Sequence, residues 1–173
     1  MKTDSVLFND TIESPLGTIS LVFDEHESLF AVGFLSEHSQ MKKLLFKWKP
    51  RVSKAPRQSK VSDTLSAYFS GDLNCIDSLK VKFEGTPFQN SVWQALRKIP
   101  CGETRSYQQL ANEIGNPKAV RAVGMANGAN PVGIVVPCHR VIGSNGTLTG
   151  YAGGIERKRW LLKHEQQGLQ LFQ

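Results

Sequence analysis

The hydrophobic period of this 173-residue chain changes near Gly85, and the change divides it into two kinds of structure. Before Gly85, three apolar runs at residues 6–12, 18–23 and 29–35 are short and strand-like. Ser14-Pro15-Leu16-Gly17 separates the first two, with Pro and Gly placed as a turn requires. The acidic break Asp24-Glu25-His26-Glu27 separates the second from the third, so the three predict a small antiparallel meander. Short helices are expected over residues 41–48 and 63–70, the latter with Leu65, Tyr68 and Phe69 on one side and Gly71 as its stop.

After Gly85 the period is helical. Thr86-Pro87-Phe88-Gln89 is a capping box with Pro at the first helical position. Phe88, Val92, Ala95, Leu96 and Ile99 then recur at helical spacing as far as Pro100-Cys101-Gly102. Ser106-Tyr107-Gln108-Gln109 is a second capping box, opening a helix through Leu110, Ala111 and Ile114 that Gly115 ends. Asn116-Pro117 reads as the cap and start of the next helix, and two short helices around a Gly-containing turn make a helix-turn-helix. The expected fold is α+β: a small N-terminal antiparallel-sheet domain with helices over residues 1–84, then a mostly helical C-terminal domain over residues 85–173.

Charge follows the same division. Residues 1–85 carry 11 basic and 11 acidic side chains, whereas residues 86–173 carry 10 basic and 4 acidic. The whole excess of +6 therefore sits in the second half, which suits a polyanion such as nucleic acid. The acid-free stretch holding Lys42, Lys43, Lys47, Lys49, Arg51, Lys54, Arg57 and Lys60 balances the acidic strands and is read first as a solvated face. The three cysteines, Cys75, Cys101 and Cys138, form no C-x-x-C pair and no Cys/His set at zinc-finger spacing. Neither a disulfide framework nor a metal is expected. No apolar run reaches the roughly 20 residues a bilayer needs, and Met1-Lys2-Thr3-Asp4-Ser5 opens no secretory signal. These features point to a cytoplasmic protein without a membrane partner.

The helix after Asn116-Pro117 has Ala119, Ala122 and Ala126 at helical spacing with Gly124 nearby, while Val120 and Val123 are the expected core contacts. Its alanine side is smooth and carries Lys118 and Arg121. A small-residue contact between helices and a close approach to another macromolecule both fit such a face.

The chemistry is concentrated further on. Residues 132–136, Val-Gly-Ile-Val-Val, read as a short buried strand that delivers Pro137-Cys138-His139-Arg140. Glycines follow at Gly143, Gly146, Gly150, Gly153 and Gly154, letting the backbone wrap closely around a ligand. The last helix brings Glu165 onto a face with Leu161 and Leu162, where a carboxylate needs a partner and a histidine serves. Adjacent side chains on extended chain point to opposite faces, so a direct Cys138–His139 ion pair is not the default. A water between them, with Glu165 orienting the far side of the ring, fits better, and the thiolate is the nucleophile.

Pro137-Cys138-His139-Arg140-Val141-Ile142 resembles the active-site motif of the O6-alkylguanine-DNA alkyltransferases. Residues 106–111, 115–119 and 121–124 with Asn130-Pro131 resemble that family's helix-turn-helix and hinge. Gly150-Tyr151-Ala152-Gly153-Gly154 resembles its active-site loop, and Trp160-Leu161-Leu162 with Glu165 its last helix. The likeness is close over residues 85–167 and general over residues 1–84.

The resemblance implies a single-turnover methyltransferase that repairs duplex DNA containing O6-alkylguanine, acting as a monomer without cofactor. It implies Cys138 as alkyl acceptor, His139 and Glu165 as a water-linked relay, and Tyr107 as a donor toward N3 of a flipped base. Main-chain carbonyls at Cys138 and Val141 would read the exocyclic amine, the Ala152 amide would face O6, and Tyr151 would line the pocket. Arg121 would fill the gap in the stack, with the helix carrying Lys118 and Ala122 in the minor groove. Gln108, Asn116 and Ser144 would touch the DNA backbone, and Asn130 would tie the turn before the cysteine. Ala152 stands where some relatives have serine, leaving only its amide there. A non-catalytic lesion binder and a turnover cysteine hydrolase are the competing readings: Cys138 argues against the first, and the helix-turn-helix is unexplained by the second.

Overall fold

The structure, a computed structural model, describes residues 6–36, 40–48, 52–55 and 59–170. It divides into two compact units, residues 1–82 and 83–173. No helix among the described residues is long and apolar enough to cross a membrane.

The first unit is built on a four-stranded sheet in the order β3-β2-β1-β4. Strands β1 (Leu7–Ser14), β2 (Gly17–Asp24) and β3 (Leu29–Phe34) form the expected meander, and Gly17 turns the first corner with φ +108°. From Ile19 to Asp24, β2 is buried at every residue, so it reads as a nearly continuous apolar run rather than an alternating one. Helix α1 (Gln40–Trp48) packs on β3, with Met41 in a cluster of Leu7, Val22, Phe30 and Ala31. Strand β4 (Val52–Lys54) was not expected; it lies within the basic stretch and pairs parallel to β1, making the sheet mixed. Lys49, Arg51 and Arg57 of that stretch lie outside the described residues. Helix α2 (Lys60–Phe69) packs on β1 and starts three residues before the sequence expectation, because Ser59 caps it by accepting from the Ser62 amide.

The second unit is helical. Helix α3 (Pro87–Leu96) opens with the full Thr86–Gln89 capping box. It ends at Leu96, short of the expected run to Ile99, where the Lys98 and Ile99 amides donate to Ala95 O and Leu96 O in a tighter 3-10-type winding that leads to Pro100. Its Trp93 is buried, donates from Nε1 to the Ala126 carbonyl at 2.8 Å, and leaves no room for a side chain at Gly85, where a Cβ would lie 2.4 Å from the ring.

Helices α4 (Tyr107–Glu113) and α5 (Val120–Gly128) are the helix-turn-helix. A Schellman closure ends α4: the Asn116 amide donates to Ala111 O at 2.9 Å and Gly115, at φ +73°, to Asn112 O at 3.0 Å. The Asn116 amide is thus committed to the old helix, and Asn116-Pro117 starts a turn instead of a helix. Helix α5 begins at Val120 after Ala119, which has no side-chain cap.

Residues 132–136 are a turn, not the expected strand. Asn130 closes it, donating from Nδ2 to Val136 O at 2.8 Å and accepting from the Val132 amide at 3.0 Å. Ile134 is held within it at φ +69°, a strained position for a β-branched residue. Strands β5 (Arg105–Ser106) and β6 (Val141–Ile142) pair in parallel, and helix α6 (Ile155–Gln170) closes the unit.

Candidate active site at the Cys138–Arg140 turn

Cys138, His139 and Arg140 form one turn of 3-10 helix between Pro137 and Val141, and all three are buried. This is not the extended segment expected. Successive side chains of such a turn diverge by about 120° rather than 180°, so Cys138 and His139 share part of one side. Helix α6 packs on the turn and delivers Glu165.

Glu165 is fully buried and accepts three hydrogen bonds. His139 Nε2 lies 2.8 Å from Oε1, Arg140 Nη2 donates to Oε1 at 2.8 Å, and Arg140 Nε donates to Oε2 at 3.0 Å. Arg140 also donates from Nη1 to the Ile99 carbonyl at 2.7 Å. Burial pushes the Glu165 carboxyl up, but His139 and Arg140 overcome it and hold the group well below the usual carboxylate range. Glu165 is therefore ionised, and Nε2 of His139 must carry the ring proton to face it. Burial, reinforced by the charges of Arg140 and Lys158, keeps the imidazole neutral against the pull of Glu165. Nδ1 is then the lone-pair nitrogen; it is buried and, among the described residues, has no hydrogen-bond partner.

Burial also pushes the Cys138 thiol up from its ordinary value. Opposing this are a hydrogen bond from the Asn130 side chain, the charge of Lys158, and the backbone N–H groups of Cys138 and His139. Lys158 was not anticipated from the sequence. It is fully buried and donates from Nζ to Val141 O at 2.5 Å and Thr149 O at 2.9 Å, tying β6 to the glycine-rich loop. Burial pushes its ammonium down, and Cys138 pushes it back up. Arg140 stands in the sequence motif but has no expected role there, and Asn127 was missed; Asn127 Nδ2 reaches the Cys138 carbonyl at 3.5 Å. An arginine directly after a Cys-His pair, and a lysine seven residues before the glutamate on the apolar face of the last helix, are the sequence signals that locate two of them.

The other candidate residues gather around this turn. The β5–β6 pair sets Arg105 opposite Val141 and so brings Tyr107, the first residue of α4, beside it. Tyr107 is half-buried, donates to Thr149 O at 3.3 Å, and lies 3.8 Å from where a Cβ on Gly124 would stand. Tyr151 is half-buried, and desolvation, with the Cys138 charge nearby, pushes its phenol well above its ordinary value. Ala152 is exposed on the loop and Val141 is buried. Of the two carbonyls expected to read a base, Cys138 O accepts from the Val141 amide and Asn127, and Val141 O accepts from Lys158.

On α5, Ala122 is exposed but Ala126 faces the core with Val123 and Asn127, so the smooth face is narrower than the alanine spacing suggested. Lys118, Arg121, Asn116 and Ser144 are exposed. Gln108 is exposed and spans the turn by donating to Asn112 Oδ1 at 3.1 Å and Pro117 O at 3.0 Å. The four acids of residues 86–173 are all engaged: Glu103 and Glu113 by Arg105, Glu156 by Arg159, and Glu165 by Arg140. Among the described residues, no group of three or more His, Cys, Asp or Glu could hold a metal ion.

Comparison with known proteins gives a consistent result. The profile of 6-O-methylguanine DNA methyltransferase, DNA binding domain, matches residues 87–167, and that of its ribonuclease-like domain matches residues 7–83. A methylated-DNA–protein-cysteine methyltransferase of Salmonella typhimurium is 52% identical over 164 residues, covering 92% of this chain and 95% of the relative. A protein of the same name from Methanosarcina mazei is 46% identical over 171 residues, covering 94% and 99%. The crystal structure of Mycobacterium tuberculosis OGT in complex with DNA is 42% identical with a TM-score of 0.78, covering 96% of this chain and 99% of that one.

Proposed function

Because the chain belongs to the 6-O-methylguanine DNA methyltransferase family, we infer that it repairs duplex DNA by moving an alkyl group from O6 of guanine onto its own Cys138. The observation that carries this assignment is the buried His139, fixed at Nε2 by an ionised Glu165 and open at Nδ1, on the same turn as a buried thiol.

In the proposed reaction, the Cys138 proton passes through a bridging water to His139 Nδ1, and the imidazolium is met by the Glu165 carboxylate. The thiolate attacks the alkyl carbon opposite O6. An S–C bond forms, the C–O6 bond breaks, and its electron pair passes to the purine. Tyr107 exchanges its hydrogen bond to Thr149 O for one toward N3 of the departing purine, and the proton released by the thiol balances the one the purine takes up. A thioether is not expelled by water under these conditions, so each molecule acts once. The base must leave the stack to reach a buried thiol, and Arg121 occupies the gap. Helix α5 lies in the minor groove; Gln108, Asn116, Lys118 and Ser144 meet the phosphates. The main-chain carbonyls of Cys138 and Val141 read the exocyclic amine, while the Ala152 amide faces O6 and Tyr151 lines the pocket. The protein works as a cytoplasmic monomer without cofactor.

Intact mass after incubation with an O6-methylguanine duplex tests this. The expected gain is about 14 mass units, one methyl for one hydrogen, once per molecule and on the peptide holding Cys138. Cys75 is a poor rival, because its thiol donates to the Thr64 carbonyl at 3.1 Å and burial, to which the neighbouring Asp72 charge adds, pushes it up to about 11. A methyl on Cys75 or Cys101, or repeated turnover, would refute the assignment.

A further inference from the structure

Met125 is 72% exposed on α5, an apolar side chain standing in water on an otherwise charged and small-residue face. With about 100° between successive helical residues, it lies only about 40° around the axis from Arg121, with Gly128 on the other side. Val123, Ala126 and Asn127 occupy the buried side, so Arg121, Met125 and Gly128 form the centre of the outward face. No packing within the unit accounts for leaving Met125 there.

On the reading that α5 faces the minor groove beside a flipped base, we propose that Met125 is a specificity-determining residue that senses the pair about two steps from the lesion. Four residues at about 1.5 Å rise place it about 6 Å from Arg121, against about 3.4 Å per base pair. Minor-groove proteins commonly combine arginine with apolar side chains, methionine among them, set against the base steps. That floor carries only acceptors at A·T pairs, whereas G·C adds the guanine N2 amine. A thioether pressed on this amine strips its water and returns only a weak acceptor, so an unpaired donor is left. Met125 therefore favours a flanking pair without the N2 amine, and on one side of the lesion only, because the helix runs in one direction from Arg121.

The test uses O6-methylguanine duplexes in which the pair two positions to either side is A·T, G·C or inosine·C. Inosine·C keeps the major-groove pattern of G·C at the pyrimidine but lacks the N2 amine. The parent protein is expected to transfer methyl at least threefold faster, at limiting protein, with A·T and inosine·C than with G·C on one flank. Met125→Ala should abolish that preference, and should lose more rate on duplex than on free O6-benzylguanine base. Met125→Lys should not restore the preference. Equal rates on G·C and inosine·C duplexes for the parent, or an unchanged preference in Met125→Ala, would overturn the role. Absence of any methyl transfer by the parent protein would instead defeat the repair reading on which it rests.

Discussion

Arg140 holds Glu165 from two directions, Nε to Oε2 at 3.0 Å and Nη2 to Oε1 at 2.8 Å, while His139 shares Oε1 at 2.8 Å. Glu165 is thus a fixed anion already matched by a cation, not a free base. In the proposed reaction its task is to set the histidine tautomer and to meet the imidazolium when it forms.

Replacing Glu165 by Gln has two separable effects. The buried Arg140 loses its counter-charge, and breaking one side of a buried pair costs about 3–5 kcal/mol. The imidazolium also loses its partner, and each unit of lost basicity slows thiolate formation about tenfold. The variant should unfold at clearly lower denaturant and, where still folded, transfer methyl at least tenfold more slowly. Parental rates in the folded variant would show that another group activates Cys138.

Stability should have an acid limb in two stages. His139 is held neutral below its ordinary 6.5, so as pH falls through that value the unfolded chain binds a proton that the folded one refuses. Glu165 is held below its ordinary 4.5, so its contribution is present above that value and is lost as pH falls toward the folded one. Unfolding free energy should therefore decline below about pH 6.5 and more steeply below about 4.5, by about 1.4 kcal/mol per pH unit for each proton. Denaturant titrations across pH check this. His139→Asn should remove the first stage, and a decline that survives in that variant would assign it to another group.

Lys158 couples pocket geometry to thiol ionisation, since it ties Val141 O to Thr149 O and its charge opposes the upward shift of Cys138. Lys158→Met keeps much of the volume and removes the charge. Alkyl transfer from O6-benzylguanine base should then rise at higher pH than in the parent, because the thiol is pushed further up. Lys158→Arg keeps the charge and should stay near the parental profile. Coincident profiles for Lys158→Met and the parent would limit Lys158 to holding the two carbonyls.

The sequence made the local signals legible and left the pairings hidden. The Thr86 and Ser106 capping boxes are contiguous, so both helix starts could be read directly. The parallel strand β4 could not, because three residues pair with β1 only after the chain has passed through α1. At the site, Cys138, His139 and Glu165 were readable from motif and apolar face. The backbone that delivers the first two was not, since Asn130 folds residues 132–136, an apolar run that otherwise looks like strand, into a turn through two hydrogen bonds, and the 3-10 turn of Cys138–Arg140 follows it. Arg140 and Lys158 ended up buried where charge usually signals surface, because their partners are a glutamate and three carbonyls supplied from other segments. Met125 escaped for the opposite reason: an apolar residue at helical spacing reads as core, yet it faces water.

Arg121 should matter for opening DNA and little for the chemistry. It is exposed on α5, whereas the groups proposed to react sit on the Cys138–Arg140 turn and α6. Filling the stack offsets an unpairing cost of a few kcal/mol, so Arg121→Ala should slow repair of duplex DNA by about thirtyfold, the equivalent of about 2 kcal/mol. Reaction with free O6-benzylguanine base, which needs no flipping, should fall much less. Phosphate attraction alone predicts a different pattern. It is served by any cation, so Arg121→Lys would then behave as the parent, and Arg121→Ala would lower the salt dependence of binding by about one counterion. Gap filling instead requires the length and flat head of arginine, so Arg121→Lys should recover the salt dependence but only part of the repair rate. Equal losses on duplex and free base would place Arg121 in the pocket, and full recovery by lysine would reduce it to a phosphate contact.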